Sequence, residues 1–276
     1  MTVPKVRFNN GVEIPQLGFG VFLVPESETK AAVASALQAG YRHIDTAKLY
    51  QNEKAVGAAI AESGIPRDEL FVTTKVWNSD QGFDAATQSF DASLDRLGLE
   101  TLDLLLIHWP APGLDRYVDT WRAFEKLIAD GRVRAIGVSN FHQSHLQRLF
   151  DETHVVPAIN QIELHPLLPQ TELRAFNAQH GIVTEAWSPL ARGGSVLTDP
   201  VVTAIAERVG KTPAQVVLRW HIELGNVVIP KSVTPSRIAE NFHIFDFSLT
   251  SEDVEAVTGL ETGERIGPNP DTFSRG

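Results

Sequence analysis

The chain has 276 residues, 43% hydrophobic and 21% charged, with a net charge of −10 at pH 7 and no cysteine. That length admits one large α/β domain or two small ones, and the composition supports a sizeable core. The acidic balance argues against nucleic acid or an anionic membrane surface as the main partner, and the lack of cysteine excludes disulfides, thiolate metal sites and thiol nucleophiles. The N-terminal Met1-Thr2-Val3-Pro4-Lys5 has no apolar signal core and no run approaches transmembrane length, so a cytoplasmic protein is expected.

In chain order, Val6 to Ile14 reads as a β-hairpin, because Val6-Arg7-Phe8 alternates and Asn9-Asn10-Gly11 supplies turn chemistry. Strand and helix patterns then alternate. A short strand over Leu17 to Gly20 precedes a helix over Ser27 to Gln38, stopped by Gly40. Tyr41 to Asp45 is the second strand, followed by a helix that starts at Glu53 and ends near Ser63-Gly64. Leu70 to Lys75 and a helix over Asp84 to Leu97 come next. Leu102 to His108 is continuously apolar up to its end, as a strand buried on both faces should be, and Tyr117 to Ile128 follows as a helix. Strands over Arg134 to Val138, Ala158 to Gln161, Ile182 to Trp187 and Val227 to Lys231 complete eight. Helices are expected near His142 to Phe150, Thr171 to His180, Pro200 to Val209, Pro213 to Leu224 and Pro235 to Phe242.

Eight strand–helix units in a chain of this length predict a (β/α)8 TIM barrel, typically about 250 residues. The expected architecture is a single domain over residues 1–276 with an N-terminal β-hairpin, an extra C-terminal helix and a C-terminal tail near the barrel mouth. The alternative, a doubly wound sheet, normally carries Gly-x-Gly-x-x-Gly after its first strand. Here the turn reads Gly18-Phe19-Gly20-Val21-Phe22-Leu23, without the third glycine.

Barrel enzymes place catalytic groups at the carboxyl ends of strands. The second strand ends on Asp45, the third on Lys75, the fourth on His108, the fifth on Ser139-Asn140, the sixth on Gln161 and Glu163, the seventh on Trp187-Ser188 and the eighth on Lys231-Ser232. Singly, each has an ordinary explanation: Asp45 as a helix cap, Lys75 as a solvated lysine, His108 as a hydrogen-bonded structural residue, Tyr50 as packing. Their coincidence at one end points to chemistry. Tyr50, five positions after Asp45, has an unperturbed pKa near 10 and needs a cation to become a useful acid. Lys75 would be that cation, Asp45 would hold it charged, and a neutral His108 would orient a carbonyl oxygen beside the phenol. This is carbonyl reduction, with hydride from a cofactor and no metal required. Phe22, Trp77, Trp109 and Trp187 would line an aromatic mouth, while Trp121 and Trp220 on helices belong to the core.

The sequence resembles the aldo-keto reductase superfamily along essentially its whole length. Gly40 to Gly57 matches the first family signature, with Asp45 and Glu53 in register. Arg134-Ala135-Ile136-Gly137-Val138-Ser139-Asn140-Phe141 matches the second, and Ile229-Pro230-Lys231-Ser232 with Arg237 and Glu240-Asn241 the third. The resemblance implies a barrel binding NADPH/NADP+ without a Rossmann fold, with a catalytic tetrad of Asp45, Tyr50, Lys75 and His108. It implies further that Ser139, Asn140 and Gln161 hold the nicotinamide carboxamide and Trp187 stacks on its ring. Ser188 and Leu190 would follow the pyrophosphate, Lys231, Ser232, Val233 and Arg237 the 2′-phosphate, and Glu240 and Asn241 the adenine. Phe22, Trp77, His108 and Trp109 would meet the substrate. Tryptophan at 187, where many relatives carry tyrosine, looks like the prokaryotic branch of 2,5-diketo-D-gluconate reductases. The substrate is then that diketo acid, another diketone or a small aldehyde, and relatives of this size are commonly monomers.

Lys48, where close relatives often have a small residue, either adds a positive charge near the pocket or, as expected here, points to solvent. The tail from Glu261 to Gly276, rich in Gly, Pro and Asp, either shapes specificity at the mouth or frays. Tyr50-Gln51-Asn52-Glu53-Lys54 spells the Tyr-x-x-x-Lys of short-chain dehydrogenases, but their glycine fingerprint is absent. A metal-dependent hydrolase using His108, Glu163 and His165 lacks the His-x-His expected on the first strand. His142 and His145 share a helix face and, with no acidic partner nearby in sequence, read as solvated surface. A non-catalytic NADPH-binding sensor remains as an alternative from another class, and the intact tetrad speaks against it.

Overall fold

The computed structural model describes residues 3–275; Met1, Thr2 and Gly276, the last residue of the expected tail, lie outside them. Strands β1 (Lys5–Arg7) and β2 (Glu13–Pro15) pair antiparallel around Gly11, whose φ of 87° suits a residue without a Cβ. This hairpin packs Phe8 and Ile14 against the starts of the barrel strands, including Phe71, Leu104 and Val227, and so plugs the amino end of the barrel.

The barrel consists of β3 (Phe19–Gly20), β4 (His43–Asp45), β5 (Phe71–Val76), β6 (Leu102–Ile107), β7 (Val133–Ser139), β8 (Ile159–Glu163), β9 (Val183–Trp187) and β10 (Val227–Val228). They pair in parallel in sequence order, and a Leu17–Val228 bridge with Gly18 N–H donating to Val228 O at 2.9 Å brings the two edges together. Around it run α1 (Glu26–Ala39), α2 (Glu53–Glu62), α3 (Phe83–Leu97), α4 (Tyr117–Ala129), α5 (Gln143–Glu152), α6 (Thr171–Gln179), α7 (Pro200–Val209), α8 (Pro213–Glu223), α9 (Pro235–Phe242) and α10 (Ser251–Thr258). Three of these begin with proline at the first turn, where a missing N–H costs nothing; α8 adds a Thr212/Gln215 capping box. α10 supplies the extra C-terminal helix, capped by Thr250 and Asp253.

Three strands are clearly shorter than expected, the second keeping only His43–Asp45 of Tyr41 to Asp45. The first keeps only Phe19–Gly20, and the eighth stops at Val228, because Pro230 has no N–H to continue a ladder. The chain instead passes from Ile229 to Ser232 along the barrel rim, where Pro230 O accepts from Gly20 N–H at 3.1 Å.

The tail is docked, not frayed. Thr262 and Gly263 N–H donate to Leu167 O, Gly113 N–H to Ser274 Oγ at 2.8 Å, and Asn78 Nδ2 to Arg275 O at 2.7 Å. His142 and His145 depart from the solvated surface expected of them. His145 is buried, and the missing acid is Asp271 of the tail, whose Oδ1 lies 2.8 Å from His142 Nδ1 and 3.7 Å from His145 Nε2. Arg265 meets the other ring nitrogen of His142 at 3.1 Å. The pair latches the tail across the mouth.

Candidate active site

A cleft of about 940 Å³ opens at the carboxyl ends of the strands. At its floor, Lys75 leaves β5 fully buried and donates to both oxygens of Asp45, at 2.6 and 2.8 Å, and to Thr46 O at 2.9 Å. Its fourth neighbour is the Tyr50 hydroxyl at 3.4 Å. Tyr50 is delivered by a 3-10 turn, Lys48–Tyr50, after β4. That turn is anchored by the buried Asn52, which donates to Val21 O and Val24 O and accepts from Thr46 Oγ1 at 2.8 Å. Asp45 therefore caps no helix; both its oxygens serve Lys75. Glu53 of the first signature is structural, accepting from Thr74 Oγ1 and Arg96 Nε.

Burial pushes the Tyr50 phenol up to about 12, while the Lys75 ammonium pulls it down. Lys75 thus acts in the expected direction, and desolvation by the surrounding barrel outweighs it. The phenol keeps its proton at neutral pH, as a proton donor must. Burial works against the Lys75 charge, but Asp45 and Tyr50 hold the ammonium above its usual range. Burial, with Lys75 second, holds His108 well below the usual imidazole range, so its ring is neutral. Its ring stands edge-on to Tyr50, 5.6 Å between centroids. His108 Nδ1 is buried without a donor or acceptor. An orphaned N–H there would be costly, which leaves the hydrogen on Nε2, at the cleft.

Along the cleft from this floor come Ser139, Asn140 and Gln161, then Trp187, Ser188 and Leu190, then Lys231, Ser232, Arg237, Glu240 and Asn241. Asn140 sits at φ 64° with its Nδ2 donating to His108 O and its Oδ1 accepting from Trp187 Nε1 at 2.8 Å, so it sets the indole plane. Val233 is the exception among the expected cofactor residues: it is exposed on the outer rim and does not line the cleft. Lys231 and Arg237 make no ion pair among the described residues, although the chain carries ten net negative charges. Unpaired cations at the end of a long cleft suit a phosphate, so the residues present fit the nucleotide that the sequence implies.

Around Tyr50 and His108 the cleft is lined by Phe22, Leu49, Trp77, Trp109 and, from the tail, Phe273, whose ring centroid is 4.7 Å from that of Trp109. Phe273 was not singled out in the sequence, where one aromatic in a Gly/Pro/Asp tail was the available signal. Gly267 and Pro268 also reach the cleft. Gly267 N–H and Ile266 N–H donate to the Glu163 carboxylate at 2.9 and 2.6 Å, and a Cβ on Gly267 would come within 2.5 Å of the Trp187 ring. Glu163 and His165, 3.1 Å apart, thus clamp the tail; among the described residues no group of three potential metal ligands assembles. Lys48 is not free, being paired with Asp80.

A tyrosine–lysine–aspartate–histidine cluster at the carboxyl end of a (β/α)8 barrel, in a cleft that also holds unpaired Lys231 and Arg237, defines a class of nucleotide-dependent barrel oxidoreductases. The chain belongs to the aldo/keto reductase family, whose model matches residues 16–262. It is 60% identical over 271 residues, 98% of each chain, to an aldo-keto reductase of Mycolicibacterium smegmatis. It is 52% identical over 269 residues, 97% of each chain, to the methylglyoxal reductase DkgA of Salmonella typhimurium. Among solved structures, a Gox0644 variant in complex with NADPH superposes with a TM-score of 0.95 at 44% identity, covering 99% of both chains.

Proposed function

We propose that this enzyme reduces small uncharged carbonyl compounds, dicarbonyls foremost, using Tyr50 as the acid. As a member of its family the chain is an NADPH-dependent oxidoreductase. NADPH supplies a hydride to the carbonyl carbon. The Tyr50 hydroxyl gives its proton to the carbonyl oxygen, and Lys75, 3.4 Å away, stabilises the charge left on the phenol. Asp45 keeps Lys75 charged and in place. The Nε2–H of neutral His108 donates to the same carbonyl oxygen and aims it at the phenol. Trp187, Phe22 and the tail exclude water, which strengthens each of these interactions.

The observation that carries the substrate reading is the charge distribution of the cleft. The cations that line it are Arg192, Lys231 and Arg237, on the segments assigned to the nucleotide, and the residues assigned to the substrate, Phe22, Trp77, His108 and Trp109, bring no cation. A carboxylate placed there would have no partner. A methylglyoxal-like dicarbonyl, the substrate named for the Salmonella relative, suits this end better than 2,5-diketogluconate. The test is NADPH oxidation with methylglyoxal, an aromatic aldehyde and 2,5-diketogluconate. The neutral compounds should lead in kcat/KM by about tenfold or more, the least an unpaired carboxylate should cost. A faster diketo acid would overturn the substrate reading, and turnover of any of them excludes a non-catalytic sensor. The proposal takes the chain to work as one domain over residues 1–276 and as a cytoplasmic monomer. No helix among the described residues is long and apolar enough to cross a membrane, and sedimentation of the purified chain reads the oligomeric state.

A further inference from the structure

Glu185 lies on β9, two residues before Trp187, with its side chain fully buried inside the barrel. No step of the reaction above uses it. Its Oε2 accepts from Gln161 Nε2 at 2.8 Å, and the same amide nitrogen donates to Asp45 Oδ2, also at 2.8 Å. A primary amide carries two hydrogens on nitrogen, and here two carboxyl groups take one each. The reversed amide would set its oxygen against the Asp45 carboxylate and take from Glu185 its nitrogen donor, so the amide is assigned with its nitrogen between the two acids. The Gln161 carbonyl oxygen is then the atom left over. No group among the described residues donates to it, and Gln161 lines the cleft beside Ser139 and Asn140.

We propose that Glu185 is a positioning residue: with Asp45 it turns the Gln161 carbonyl towards the cofactor, where it accepts an N–H of the nicotinamide carboxamide. The proposal rests on the nicotinamide lying beside Gln161, as the functional reading has it. Asp45 by itself is a weak guide for the amide, because both its oxygens already serve Lys75. The second acceptor removes the alternative orientation. The cost of keeping an acid here argues the same way. Burial, with Asp45 second, raises the Glu185 carboxyl to about 8, no cation touches it, and its Oε1 has no hydrogen-bond partner, lying 3.7 Å from His43 Nε2. A well-packed apolar side chain would sit in this place at less cost.

The test compares binding of NADP+ with binding of its 3-acetylpyridine analogue, in which a methyl replaces the carboxamide NH2, by quenching of tryptophan fluorescence. The wild-type chain should bind NADP+ about five- to tenfold more tightly, the worth of one hydrogen bond. Glu185→Gln, which can still offer Gln161 an oxygen, should keep that ratio. Glu185→Met, similar in size but without an acceptor, should bring it close to one while preference for NADP+ over NAD+ is kept. If the methionine variant does not fold, Glu185→Ala removes the acceptor with less bulk and should show the same loss. A folded Met or Ala variant that keeps the full ratio overturns the proposal, as does loss of the ratio in Glu185→Gln. A wild-type chain that binds both dinucleotides equally overturns it too. A wild-type chain that binds neither removes the cofactor placement itself, a separate failure.

Discussion

Replacing Lys75 by methionine separates the two things this lysine does. It deletes the donor of bonds to Asp45 Oδ1 and Oδ2 at 2.6 and 2.8 Å and leaves a buried carboxylate with one remaining side-chain donor, Gln161 Nε2. Breaking a buried pair from one side costs roughly 3–5 kcal/mol, which for a chain of this size lowers Tm by roughly 6–20 °C. Adding Asp45→Asn removes the orphaned charge and should recover most of that loss. Catalysis should not recover. The ammonium is what opposes burial at the Tyr50 phenol, and without it the phenol becomes a still weaker acid. Both variants should therefore lose about 10²–10⁴ in kcat, the contribution of a positioned acid. Thermal melts by circular dichroism and steady-state NADPH oxidation read the two effects separately. A single variant within about tenfold of wild-type turnover, or a double variant whose rate returns with its stability, would refute the reasoning.

Tyr50→Phe should also cost about 10²–10⁴ in kcat while NADPH affinity and Tm hold, because the hydroxyl makes a single long internal bond of 3.4 Å; near-normal turnover would remove Tyr50 as the acid. Arg237→Ala should raise the Kd for NADPH by about tenfold while that for NADH barely moves, since only the 2′-phosphate loses a charge-assisted contact; calorimetric titration with both checks this, and equal weakening contradicts it. Glu185 predicts a pH signature of opposite sign to an ion-paired carboxylate. Its folded value of about 8 lies above the ordinary 4.5, so between these the folded chain binds a proton that the unfolded chain has released. Stability contributed by this group falls as pH rises across that window and levels off above it. Glu185→Gln should flatten the slope in Tm against pH, and an unchanged slope would deny the raised value.

Much of this molecule was legible along the chain because the signals are local. Proline at helix starts, glycine at Gly40 and the run of apolar residues at Leu102–Ile107 each act within a turn or a strand, so the order of elements follows from them. The register of the strands then carries Asp45, Lys75, His108 and Gln161 to one end, and the first family signature contains Asp45 and Tyr50. What the sequence leaves open depends on the closed barrel. Strand β10 is cut short by Pro230, yet its pairing with Leu17 needs both edges of the sheet to meet. Lys75 lowers the Tyr50 phenol as the sequence suggests, and only the closed barrel adds the desolvation that outweighs it. His142 finds its acid 129 residues away in Asp271, and Glu185 and Asp45 both meet Gln161 across strands. Local chemistry determined which groups are present and at which end of the barrel. Only closure of the barrel and docking of the tail decided which of them touch, how dry they are, and which protons they keep.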